Sequence, residues 1–68
     1  MNKYYVHKNQ DDKGDHEVHK SGCPWIVNVE NFIYLGSFED CKEAVQAAKK
    51  YYLKVNGCKH CSIKCHTS

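Results

Sequence analysis

Alternating apolar and polar positions mark two short strands near the start of the chain, Tyr4-Tyr5-Val6-His7 and His16-Glu17-Val18-His19. The polar stretch 8–15 between them, with Asn9, Asp11, Asp12 and Gly14, predicts a hairpin with a long loop. Ser21-Gly22-Cys23-Pro24 then breaks the pattern, since proline removes a ladder donor and glycine favours a turn. Beyond the break, Trp25-Ile26-Val27-Asn28-Val29 and Phe32-Ile33-Tyr34-Leu35 flank a tight Glu30-Asn31 turn and predict a second hairpin, ended by Gly36.

The period changes after Gly36. Phe38, Cys41, Val45, Ala48 and Tyr52 recur at three and four residues, which places one apolar stripe along a helix. Ser37 is the expected N-cap, with Glu39, Asp40 and Glu43 setting negative charge in the first turns. Lys49, Lys50 and Lys54 occupy the expected last turns, and Asn56-Gly57 offers a left-handed cap. The predicted fold is α+β: a small antiparallel sheet of two hairpins covered on one face by a single helix, with a cysteine-rich tail behind it.

Sixty-eight residues allow one domain, spanning 1–68. A chain of this size buries roughly 60% of the surface it exposes when unfolded, and such domains often add a disulfide or a metal to a marginal core. Five cysteines make both relevant. The count is odd, whereas secreted disulfide frameworks normally use an even one, and the opening Met1-Asn2-Lys3-Tyr4-Tyr5-Val6-His7-Lys8 holds no apolar run suited to a signal peptide or a membrane span. The expectation is a cytoplasmic protein with reduced thiols and no membrane association.

Charge narrows the partners further. Ten lysines against eight carboxylates give a formal charge of +2, too balanced for a strong field toward nucleic acid. Arginine, whose fork reads guanine and grips phosphate, is absent, which argues against sequence-specific DNA readout. The eight aromatic residues are expected mostly in the core, and no paired strand motif of the RNA-binding sheets accompanies them.

Two clusters carry the candidate chemistry. Cys58-x-x-Cys61 follows a helix-ending turn, a spacing that aims two thiolates at one ion at about 2.3 Å while nearby amides donate to the sulfurs. A thioredoxin-like use of this motif needs the opposite order, with the cysteines at the start of a helix. Cys23 lies in the Gly-Cys-Pro turn as an upstream ligand, with His19 four residues earlier as its partner. His16 competes with His19, because alternate strand residues point to opposite faces. Cys65 and His66 are the other candidates for the fourth position, Cys61-x-x-x-Cys65 suiting one helical turn. Cys41 belongs to the helix stripe and reads as core, while His7 and His60 read as exposed polar residues.

The run His19-x-x-x-Cys23, then Tyr34-Leu35-Gly36-Ser37-Phe38-x-x-Cys41-x-x-Ala44, then Asn56-Gly57-Cys58-x-x-Cys61-x-x-x-Cys65-His66-Thr67, resembles small uncharacterised bacterial proteins that have the same order of elements. More distantly, its histidine and cysteine pattern resembles the zinc-binding module of the Ada methyl-phosphotriester repair protein and similar modules attached to nucleases. That resemblance implies Cys23, Cys58 and Cys61 as zinc ligands, with His19 as a weaker fourth. The Ada module uses four cysteines beside DNA-binding helices, whereas this chain has no arginine and carries an extra Cys65-His66, so a methyl-accepting reaction is not implied.

The expected function is therefore a small module, not an enzyme, with structural zinc on Cys23, Cys58, Cys61 and either His19 or Cys65. It would act in protein interaction as a monomer or weak oligomer. A thiol redox protein or sensor using Cys58 and Cys61 is one alternative, and a metal-free structural domain or weak nucleic-acid binder is another.

Overall fold

The computed structural model describes residues 1–24, 26 and 28–66. Four strands form one sheet: β1 (Asn2–His7), β2 (His16–Lys20), β3 (Phe32–Phe38) and β4 (Val55–Gly57), with one helix, α1 (Cys41–Ala48), between β3 and β4. The spatial order is β3-β1-β2-β4. β1 runs antiparallel to both neighbours, pairing Val6 with Val18 on one side and with Ile33 on the other. β4 adds to the outer edge of β2 in parallel, with His16 opposite Val55 and Val18 opposite Gly57. The α+β class is as predicted, and the fourth strand makes the sheet mixed.

Strand alternation decides the two faces. Tyr4, Val6 and Val18 point at α1 and are buried with Cys41, Ala44 and Ala48. Ile33, Leu35, Val45, Tyr52 and Val55 pack around that core. Val6 and Val18 are fully buried, and each such side chain stabilises the fold by about 1.5–3 kcal/mol relative to exposure. Small residues on α1 let the helix lie close to the sheet. The opposite face carries Tyr5 against Tyr34 at 5.3 Å and His7 against Phe32 at 4.5 Å between ring centres.

Several sequence expectations change. The second hairpin does not form: Phe32–Phe38 pairs with β1, while Ile26 and Asn28 lie in no strand and Val29–Asn31 makes a single 3-10 turn capped by the Asn28 side chain. Trp25 and Val27 lie outside the described residues. Hydrogen bonds from Cys23 N to Lys20 O and from Ile26 N to Cys23 O commit this backbone to turns. β1, with a free edge and two buried side chains, takes the seven-residue ladder instead.

The helix is also shorter than expected. Asp40, whose side chain accepts from the Lys42 amide at 2.8 Å, is the N-cap. Ser37 and Phe38 stay extended because they pair with Lys3 and Asn2. At the other end the helix stops at Ala48, and Tyr52 turns to stack on His16, rings 3.6 Å apart and 6° from parallel. Asn56 and Gly57 are strand residues with no left-handed cap between them. Gly36, expected to end a hairpin, lies inside β3 at φ +128°, beside the register shift between Tyr4 and Tyr5. Among the described residues no helix is long and apolar enough to cross a membrane.

Candidate metal centre

Three short pieces of backbone bring the ligands together. His19 leaves β2 on the face away from α1, opposite Tyr5 in the ladder, and is 1% exposed. Cys23 follows a turn through Gly22, which sits at φ +92°. Cys58 arrives through β4: its amide donates to Val18 O at 3.0 Å, which extends the parallel pairing by one step and sets Cys58 beside His19. Ser62 N then donates to Cys58 O at 2.8 Å, a tight turn that returns Cys61 to the same spot.

The ligand atoms of His19, Cys23, Cys58 and Cys61 all lie within 4.8 Å of one another. His19 Nδ1 is 3.6 Å from Cys23 Sγ and 3.7 Å from Cys61 Sγ. A tetrahedral ion with bonds of about 2.3 Å to sulfur and about 2.1 Å to nitrogen separates such atoms by roughly 3.6 Å. The group can hold a metal ion. Cys23, Cys58 and His19 are buried and Cys61 is half-buried.

The surroundings favour the same use. The Lys20 amide points at Cys61 Sγ at 3.3 Å and the His60 amide at Cys58 Sγ at 3.4 Å, the N–H to sulfur contacts that stabilise a coordinated thiolate. Glu17 Oε1 stands 3.7 Å from His19 Nε2, beyond hydrogen-bonding length but within electrostatic reach. An imidazole protonated at Nε2 leaves the Nδ1 lone pair free for an ion. Burial, and then the charge of His7, lowers the His19 pKa to about 4, so the ring is neutral near pH 7. Burial raises the thiol pKa of Cys58, and burial followed by the neighbouring Cys23 raises that of Cys61. Both are therefore poor free nucleophiles at neutral pH.

The remaining candidates go elsewhere. Cys65 is not a ligand: its sulfur is bonded to Cys41 in a disulfide with a Cα–Cα distance of 6.2 Å. The helical spacing from Cys61 is replaced by a 3-10 turn, Ile63–Cys65, that carries Cys65 toward α1. His16 shares the helix side of β2 with Val18, where its Nδ1 lies 2.9 Å from His7 O. His66 Nδ1 is 3.0 Å from Gly57 O. Neither joins the cluster. His7 accepts from the Asn9 amide and meets Phe32 edge-on.

Two features escaped the sequence. Glu17 shares a face with His19 at a spacing of two, a signal legible only once the strand's inward side is known. The odd cysteine count divides into three thiols at the centre and one disulfide, so the expectation of five reduced thiols does not hold. In comparisons with protein-family profiles, curated proteins and solved structures, the chain shows no significant match to any of them.

Proposed function

We propose that this chain is a small non-enzymatic module built around one structural zinc ion, held by His19, Cys23, Cys58 and Cys61, and that it serves protein interaction. The observation that carries the reading is the convergence of one imidazole nitrogen and three sulfurs within 4.8 Å of one another, with the nitrogen 3.6 Å and 3.7 Å from two of the sulfurs. Thiolate-rich sites of this geometry suit zinc, and four protein ligands leave no open position for a catalytic water. Three thiolates and a neutral imidazole give the loaded site a charge of −1, and Lys20 and Lys64 border the cleft into which Cys61 opens. The raised thiol pKa values of Cys58 and Cys61 weigh against a thiol enzyme at these positions. A cytoplasmic location belongs to the same proposal, and it requires the Cys41–Cys65 bridge to be a redox-responsive one, because permanent disulfides are rare in that compartment.

Metal analysis of protein purified without an affinity tag tests it. About one equivalent of zinc is expected. Chelation should then shift the amide signals of residues 16–23 and 57–66 and leave those of 2–7 nearly in place. A protein that arrives without zinc and does not take it up at micromolar concentrations would end the reading.

A further inference from the structure

Residues 58–66 supply two of the four candidate ligands, yet much of their backbone hydrogen bonding is internal: Ser62 N to Cys58 O, Cys65 N to Ser62 O and His66 N to Ile63 O. Ile63 is 69% exposed and gives the segment no apolar anchor. Its start is held by the Cys58 amide on Val18 O and its middle by the Lys20 amide at Cys61 Sγ; its end is held by His66 Nδ1 at Gly57 O and, covalently, by Cys65 on Cys41, the first residue of α1. The ring closed by that disulfide joins residues 24 apart in sequence and contains both Cys58 and Cys61. His19 and Cys23 lie outside it.

We infer that the Cys41–Cys65 disulfide is a redox-operated latch on the metal centre: closed, it holds Cys58 and Cys61 in place for the ion, and its reduction loosens the grip on the metal. The inference rests on the zinc reading and adds its regulation. A bridge that already confines the loop removes ordering entropy that metal binding must otherwise supply, so disulfide and metal favour each other. By linkage the effect is reciprocal, and a bound metal makes the bridge harder to open.

The reductant is a dithiol. Its thiolate attacks one sulfur of the bridge, the S–S bond breaks, and the electron pair with a proton goes to the departing cysteine. The second thiol of the reductant then resolves the mixed disulfide. Two electrons and two protons pass to Cys41 and Cys65, and the dithiol becomes a disulfide. Cys41 is 5% exposed, and it lines an open cleft of about 240 Å³ together with Cys61, Lys20, Ser62 and Lys64, which is the side from which a reductant would approach the bridge.

Zinc affinity is measured by competition with a chromogenic chelator on the oxidised protein, on the same protein reduced with a trialkylphosphine, and on the double variant Cys41→Ala, Cys65→Ala. The phosphine opens the bridge without offering the ion a thiol. About a tenfold weaker affinity is expected for the reduced protein and for the double variant, the size of an ordinary coupling between sites. The reduced wild type needs no substitution in the core, so a folding defect of the variant leaves that arm intact. Equal affinities in the oxidised and reduced protein, with one equivalent bound, would overturn the latch and leave the zinc reading standing. Tighter binding after reduction would also overturn it, by making Cys41 or Cys65 a ligand. Absence of zinc binding by the oxidised protein would remove both.

Discussion

Cys61 Sγ lies 3.7 Å from His19 Nδ1 across 42 residues of sequence. The contact joins the second strand to the segment after the last one, and neither partner is placed by its own local structure. β2 orients the ring, the β2–β4 pairing brings in Cys58, and the turn after Cys58 returns Cys61. Stability of the centre is thus tied to a three-residue edge strand.

Substitution of the ligands is expected to be more damaging to metal content than to the sheet. Cys58→Ser and Cys61→Ser should each abolish stoichiometric zinc, and with it whatever the metal adds to the stability of the 57–66 segment. Cys41→Ala should retain zinc at high metal concentration while losing the disulfide and a small buried group, at about 2–5 kcal/mol. Metal content and urea unfolding of the three variants, measured side by side, check the order. Loss of stoichiometric zinc from Cys41→Ala alone would reverse the ligand assignment.

The pKa shifts give zinc binding a definite pH dependence. Cys58 and Cys61 have raised pKa values and are protonated in the metal-free fold at neutral pH, so both protons leave on loading. Affinity should therefore rise with pH, by at least about a hundredfold per unit while both thiols are protonated, since these two ligands alone release two protons. His19, already neutral, contributes no proton at pH 7. In the metal-free fold its pKa is lowered from 6.5 to about 4. The unfolded chain binds the proton first on acidification, so this stability is complete above pH 6.5 and is lost as pH falls through about 4. Its size is about 3 kcal/mol at 1.36 kcal/mol per pKa unit. Unfolding of metal-free wild type and His19→Leu between pH 7 and 4 isolates it, and the variant should give a flatter profile.

Gly57→Ala should weaken both fold and centre. A Cβ at this position would stand 2.7 Å from Cys65 Cβ and 2.7 Å from Ser62 O, one of them a backbone atom that cannot rotate away. Relief requires the tail to lift off β4, at about 1–3 kcal/mol. Thermal unfolding and zinc competition on the same variant check whether both fall together. Wild-type behaviour in either would mean that the tail is less closely seated than its contacts imply.

Nucleic-acid binding should be weak and salt-sensitive. Ten lysines nearly balanced by eight carboxylates leave little net charge for counterion release. Titration with labelled single- and double-stranded oligonucleotides at about 150 mM salt, where exposed charges are strongly screened, should give no submicromolar complex. A sequence-selective complex there would replace protein interaction with a role closer to that of the Ada-type modules.

Local signals made much of this architecture legible. The alternation through Val6 and Val18 located β1 and β2, and the stripe through Cys41, Val45 and Ala48 located α1. Pairing was hidden wherever it is long-range: nothing near Phe32 says that its strand seeks β1, and Asn56-Gly57 has the composition of a cap while serving as an edge strand. Cys58 and Cys61 were visible from their spacing, and Cys23 from its turn. The choice between His16 and His19 waited on which side of Val18 meets β4 and its turn. Cys65 misled because a spacing of four implies a shared face only on an α-helix, whereas this stretch ends in a tighter turn.

The parallel pairing of β2 with β4 also orders events during synthesis. β1 and β2 are complete by Lys20, but β2 has no partner on its outer edge until the chain has passed through β3 and α1 and come back. His19 and Cys23 are made before Cys58 and Cys61, so an incomplete chain offers an ion at most half of the candidate shell until Cys58 is added. Metal capture at this centre would consequently be a late checkpoint, one that could close only on a chain whose crossover has already been made.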